Sequence, residues 1–365
     1  MKLALVAPLV SAIREPQRGG SQAFVSDLAR GLVDRGHDVH LYAASGSQVR
    51  GVQVIDTGVD HRALQATLYR ASDGAAARES GAAERAFAAV YRAVRREAYD
   101  VVHNHAFDAP AVTLASAVRA PVLHTLHLPP DTAVAEALRQ AARRGPRPTV
   151  AGVSAFHAES WRRVVPVDAI LPPLIPTSSI AWSPAAGETA VFAGRLSPEK
   201  GAAEAIEIAQ AARIRIDLYG DSYDPYYTRE RIDPRRADPG VRVHAGVPRT
   251  TLWEAIARAA VVLCPARWDE PFGMVAAEAQ ACGTPVVAFR RGALSEVVVD
   301  GATGLLVAPD DTDAAADAVA RAARLSRSSC REHAERHLDL ELSLDAHEQL
   351  YGQLAPAGIG AAVGG

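Results

Sequence analysis

A chain of 365 residues, 48% apolar and 22% charged, is too long for one hydrophobic core and too balanced to be disordered or fibrous; two globular domains are expected. A formal net charge of −3 excludes the whole-protein basic field of a nucleic-acid binder. The first 175 residues hold 20 basic and 16 acidic side chains, the remainder 19 and 26, so only the first half is mildly positive, as an anionic acceptor, a membrane surface or an ordinary solvated face would each allow.

Short apolar segments alternate with helical ones from the start. The run 2–8 (KLALVAP) is predicted as a strand, followed after the Gly19-Gly20 turn by a helix over 21–35. Segments 38–44, 52–56, 100–105, 121–127 and 149–154 are further strands, with helices over 82–98 and 131–144 between several of them. Strands that are apolar on both faces and separated by helices build a parallel sheet covered on both sides. The proline-rich stretch 170–188 reads as a linker. Strands then resume over 189–195, 215–220, 241–246, 261–266, 284–289 and 303–308. A last helical stretch covers about 327–354, and the small-residue tail 355–365 is expected to be disordered. The expected architecture is α/β: two doubly wound, Rossmann-like domains, 1–175 and 176–335, facing across a cleft, with 336–354 crossing back to the first. In such sheets ligands bind beyond the carboxyl ends of the strands.

Cys264, Cys282 and Cys330 form no CxxC pair and no zinc spacing. With no signal peptide and no run near ~18 apolar residues, a cytoplasmic chain with unpaired thiols and at most peripheral membrane contact is expected.

The segment 268–288 (WDEPFGMVAAEAQACGTPVVA) follows the strand 261–266. Pro271 suits a helix start and Gly283 a helix end, which predicts a helix over 272–282. First-turn amides at Phe272, Gly273, Met274 and Val275, with the positive end of the helix dipole, suit a phosphate, and Gly273 allows close approach. Glu270 precedes that turn and Glu278 lies nearly two turns inside the helix. Glu278 suits the two adjacent hydroxyls of a ribose and Glu270 those of a sugar, unless both are solvated surface charges. Only Lys2 and Lys200 among the 39 basic residues are lysine, so a lysine inside a motif stands out.

These residues resemble the retaining family-4 glycosyltransferases of GT-B fold. The likeness is carried by EPFG with a second glutamate at Glu278, by GTPVVA (283–288), by GALSEVVVDGATG (292–304) and, upstream, by VFAGRLSPEKG (191–201). It implies transfer of a hexosyl or pentosyl group from a nucleoside-diphosphate sugar, UDP being the commonest in the family, to a hydroxyl of a small molecule or glycolipid. It also implies that Gly194 belongs to the donor site, that Arg195 and Lys200 hold the diphosphate, and that Gly19 and Gly20 face the donor. His127, at the end of the strand 121–127, falls where the family has a histidine near the transferred sugar; a satisfied strand-end histidine is the plainer alternative. Two cations and a helix dipole supply the charge a departing diphosphate needs, so no metal or other cofactor is expected.

Of the remaining polar residues, His124 is expected within its strand and buried, His103 and His105 at the acceptor cleft, and Ser154 at a helix start beside it. Asp311-Thr312-Asp313 and the pair His333 and His337 imitate metal patterns, but read as a helix N-cap and as solvated helix residues. The alanine- and arginine-rich composition fits secondary-metabolite glycosylation, such as antibiotic biosynthesis. A sugar-nucleotide epimerase or phosphorylase on the same architecture, and a non-catalytic nucleotide-sugar binder, are alternative readings. A dinucleotide oxidoreductase is disfavoured because no GxGxxG follows a strand.

Overall fold

The structure, a computed structural model, describes residues 1–61, 64 and 81–355. Its strands, in chain order, are β1 (Lys2–Val6), β2 (Asp38–Ala43), β3 (Gln53–Asp56), β4 (Val101–Asn104), β5 (Val122–Thr125), β6 (Thr149–Gly152) and β7 (Ala169–Ile170), then β8 (Thr189–Ala193), β9 (Arg215–Tyr219), β10 (Val241–His244), β11 (Val261–Cys264), β12 (Val286–Phe289) and β13 (Gly304–Val307). They form two sheets. The first has the order β3-β2-β1-β4-β5-β6-β7 and the second β10-β9-β8-β11-β12-β13, and every pairing is parallel. All the strands expected from the sequence form, most of them one or two residues shorter, because the chain leaves the ladder where it turns toward the loops.

In both sheets the winding reverses beside the first strand, between β1 and β4 and between β8 and β11. A crevice opens beyond the strand ends at such a reversal, since successive loops run away from each other there. Gly19 and Gly20 follow β1, His105 follows β4, Gly194 and Arg195 follow β8, and Glu270 follows β11. The motifs are thus concentrated at the two switch points.

Three expectations are corrected. The stretch 170–188 is not all linker, for Ala169–Ile170 adds an edge strand to the first sheet before Pro172 and Pro173 end it. The predicted helix over 272–282 runs Met274–Ala281, because Gly273 stands before it at φ +100°, a left-handed conformation outside the helix. The last helical stretch is two helices, Arg327–His337 and Leu340–Leu354. Asp339 caps the second, accepting from the Glu341 amide at 2.9 Å, and the linker residue Ile175 pairs with the break through Leu338 and Leu340.

That last helix lies against Gly20–Asp34. Leu344 fills the space over Gly31, where an added Cβ would come within 2.6 Å of it, and Leu340, Leu344 and Tyr351 join the core of the first sheet. Of the tail at 355–365, residues 356–365 lie outside the described ones. Among the described residues no helix is long and apolar enough to cross a membrane. Cys264, Cys282 and Cys330 are unpaired, the last two buried.

Candidate active site

The segment after β11 is held by close backbone packing. Gly292 adopts φ +59°, and a Cβ there would lie 2.3 Å from the Glu270 amide nitrogen, so the 290–293 turn presses directly onto the Glu270 backbone. The Ala293 amide then donates to the Glu270 carbonyl at 2.8 Å. With its backbone clamped on that side, Glu270 turns its carboxylate toward the β8 loop, where it accepts from Lys200 Nζ at 2.7 Å and from Trp268 Nε1 at 2.8 Å. The Lys200 ammonium also sits 4.7 Å over the Trp268 ring. Arg195 lies one short turn back, 3.2 Å from Glu199 and 4.5 Å over Tyr223. Lys200 and Arg195, both half-buried, therefore face the crevice from the loop that follows β8. Carboxylates engage both cations, and a phosphate, which makes charge-assisted bonds of the same kind, can take over those partners.

Phe272 is buried in the core, so only its backbone can serve a ligand. Met274 and Val275 pack at the edge of that core. Gly20 stands opposite Met274, close enough that a Cβ on Gly20 would lie 2.9 Å from the sulfur. The N-termini of Gly20–Asp34 and Met274–Ala281 thus meet, one from each sheet, and Gly19 is the N-cap of the first. Gly194, at φ +153°, lets the chain turn from β8 toward Arg195.

On the first sheet the histidines gather. His127 is buried, and its Nε2 lies 3.1 Å from Nδ1 of His105, one ring donating to the other. Burial pushes the imidazole of His127 down to about 3 and that of His124 to about 4; both are neutral near pH 7. The expectation that His103 and His105 stand at the acceptor cleft is corrected, for both are buried, His103 against the C-terminal helix and His105 between His103, His127 and Phe24. His103 bonds Tyr351 Oη and Thr125 Oγ1, each at 2.7 Å, its ring lies 5.6 Å from that of His347, and both His103 and His105 are wholly buried. Desolvation holds His103 and His105 well below the ordinary histidine range. His124 is buried in its strand, 3.1 Å from Asn104 Nδ2.

Glu278 has a different setting from Glu270. Its carboxylate is buried, and Oε1 accepts from Arg249 Nε at 3.3 Å and Nη2 at 3.2 Å. The same guanidinium donates through Nη1 to Asp27 Oδ2 at 2.6 Å, on Gly20–Asp34 of the other half. Burial pushes the Glu278 carboxyl up, against the pull of Arg249. Two further contacts tie the halves together. Ser154 caps the helix Ala155–Arg162 and donates from Oγ to the Pro271 carbonyl at 2.7 Å, while Glu296 accepts from the amides of Ala155 and Phe156 at 2.8 and 2.6 Å.

Sequence reasoning assigned no role to Asp27, Arg249, Trp268 or Glu296. Trp268 and Glu296 lie inside the quoted motifs and could have been questioned there; Asp27 and Arg249 carry no local signal. Of the metal-like patterns, Asp311 is an N-cap that accepts from the Ala314 amide at 2.9 Å. His333 is corrected: it is half-buried on the face toward Val297, and burial lowers its pKa, whereas His337 is exposed. Among the described residues no three His, Cys, Asp or Glu side chains are grouped to hold a metal ion.

The family model of the group 1 glycosyl transferases matches residues 183–337, and that of glycosyltransferase family 4 matches residues 18–178. A D-inositol 3-phosphate glycosyltransferase of Kribbella flavida is 30% identical, the alignment covering 87% of this chain and 86% of that protein. Sucrose-phosphate synthase from Thermosynechococcus elongatus superposes with a TM-score of 0.79 at 20% identity, over 97% of this chain and 98% of that one. HepE of Anabaena, solved with UDP-glucose, gives 0.74 at 18% identity, over 97% and 100%.

Proposed function

The chain belongs to the family-4, group 1 glycosyltransferases and has their GT-B fold, and we propose from that premise that it is a retaining enzyme that uses a UDP-sugar and needs no metal. The observation that carries the proposal is the Lys200–Glu270 pair at 2.7 Å, standing at the switch point of the second sheet beside the start of Met274–Ala281. A fixed cation and a helix N-terminus converge there on the place a diphosphate would occupy.

In this reading Arg195, Lys200 and the amides at 272–275 receive the charge that develops as the bond between the sugar C1 and the diphosphate oxygen breaks. The acceptor hydroxyl forms its bond to C1 on the same face, and its proton passes to the departing phosphate oxygen. Glu270 orients sugar hydroxyls, and Glu278 accepts from the ribose. His127 serves as a neutral hydrogen-bonding group beside the sugar, since an imidazole with a pKa pushed to about 3 lacks the second ring proton of a general acid near pH 7. Gly19, Gly20 and Gly194 leave room for the donor.

The acceptor is proposed to be a hydroxyl of a small anionic polyol. The support is the mildly positive first half of the chain and the relative named for D-inositol 3-phosphate. Glycolipids and secondary metabolites, including antibiotic precursors, are the competing acceptors, and three unpaired thiols favour a reducing, cytoplasmic setting. The test is incubation with UDP-, GDP-, ADP- and dTDP-glucose and an acceptor panel led by inositol phosphates, with the product anomer read by NMR. An α-configured product from an α-configured UDP-sugar, formed equally with EDTA present, is expected. An inverted product, or activity lost to EDTA and restored by Mg²⁺, overturns the corresponding part.

A further inference from the structure

Among the described residues, Arg249 is the one side chain that holds both a carboxylate of the first half and the candidate ribose carboxylate. It enters from the first turn of Arg249–Ala257, and its guanidinium lies 4.7 Å from the centre of the Trp253 ring. Nη1 reaches Asp27, and Nε and Nη2 both reach Glu278 Oε1. Its own amide donates to Glu15 Oε2 at 3.1 Å, again on the first half. All three side chains of the triplet are at least nine-tenths buried. Such a group is unusual as a stabiliser, because desolvating two carboxylates against one guanidinium recovers little net energy. The arrangement does fix direction, since a planar guanidinium constrains the carboxylates it binds.

We propose that Arg249 is a positioning residue for the donor, aiming the Glu278 carboxylate at the ribose and making that aim depend on contact between the two halves through Asp27. The proposal rests on the reading of Glu278 as the ribose acceptor. Both Arg249 bonds to Glu278 fall on Oε1, so the guanidinium does not occupy Oε2, and the Trp253 indole also acts on this carboxylate as a hydrogen-bond donor. Arg249 also favours the charged form of Glu278, which a hydroxyl-accepting carboxylate needs, against its burial and the nearby Asp27. The other ionisable groups around the triplet are Arg30, 4.0 Å from Asp27, Glu15 at the Arg249 amide, and the Cys282 thiol, which burial keeps protonated.

The experiment compares binding of the nucleoside diphosphate that most stabilises the wild-type chain with binding of its 2′-deoxy analogue, by calorimetry between pH 5 and 8. Wild type should prefer the ribose form by about tenfold, within the range of coupling energies between sites. Arg249→Gln should reduce that preference to about twofold and move the loss of binding on acidification to higher pH, and Arg249→Lys should restore part of both. Asp27→Asn, which leaves the donor side intact, should reduce the preference by a smaller factor. A merely structural Arg249 would weaken both ligands equally. If Arg249→Gln, or Asp27→Asn where the former does not fold, keeps the full preference and the wild-type pH profile, the positioning role is wrong. Glu278→Gln separates the two readings: a variant that still prefers ribose tenfold removes Glu278 as the ribose acceptor, whereas one that loses the preference while Arg249→Gln keeps it removes only Arg249.

Discussion

The two halves share one topology, and each carries its motif-bearing loops beyond the strand ends where the winding reverses, yet they furnish them with opposite chemistry. Around β4 and β5 of the first sheet the side chains are buried histidines, which desolvation keeps neutral. Around β8 and β11 of the second they are ions in pairs: Arg195 with Glu199, Lys200 with Glu270, Arg249 with Glu278. The difference follows what each half would have to meet. A departing diphosphate concentrates negative charge that fixed cations can stabilise, while a sugar and a hydroxyl acceptor are neutral where they react and call for directional hydrogen bonds. One scaffold accommodates both because the loops, not the sheet, decide polarity.

The sharpest way to break the comparison is to discharge the second half. Lys200→Ala is expected to lower kcat by about 10²–10³-fold while substrate KM changes far less, as removal of a transition-state charge partner should. Steady-state kinetics with saturating acceptor measure it, and wild-type turnover would reject the leaving-group assignment.

A smaller loss is expected from the neutral half. His127→Ala should cost about 10- to 100-fold in kcat, the scale of one or two buried hydrogen bonds. The wild-type pH–rate profile should show no acidic limb from His127 above pH 5, because its imidazole is already unprotonated there. A limb near 6.5 that disappears in this variant would mean that His127 is charged in the working enzyme.

Stability against pH should separate the halves as well. His124 and His347 are pushed to about 4 and His127 to about 3, below the ~6.5 of an exposed histidine. Below pH ~6.5 the unfolded chain takes up protons that the folded chain refuses, so stability falls with pH until about 4, where the folded groups begin to charge. Each such histidine contributes about 1.4 kcal/mol per pH unit over that window. Denaturant melts from pH 7.5 to 4.5 should show the slope. His347→Gln should flatten it by one group's share, and an unchanged slope would remove His347 from the set.

The smallest effect concerns helix caps. Ser154→Ala and Asp311→Ala each remove a side chain that accepts from a first-turn amide, at about 1 kcal/mol apiece. Only Ser154 also bonds Pro271 across the cleft, so its loss alone should raise the donor KM by a few-fold; equal kinetics for the two variants would show that this bond does not shape the site.

Much of this was legible in the residues. Twelve apolar runs became strands because burial on both faces leaves an unbroken apolar signature, and the GRLSPEKG and EPFG motifs marked Arg195, Lys200 and Glu270 because their chemistry lies in adjacent residues. The errors came where a neighbour's conformation decided: the helix after Pro271 starts late because Gly273 is left-handed, and 327–354 breaks because Ile175 pairs into it.

Sequence alone determined the elements, their alternation and the cations beside the turn proposed to take phosphate, since periodicity, capping and short motifs act over a few residues. Tertiary structure decided which partner each charge takes. Arg249 meets Asp27 across 222 positions and His103 meets Tyr351 across 248, separations over which no local pattern operates. The Glu270 carboxylate found Lys200, while Glu278, eight residues on, was drawn into a buried contact between the halves. That assignment followed from which surfaces the two sheets brought together, and the spacing of the two glutamates did not contain it.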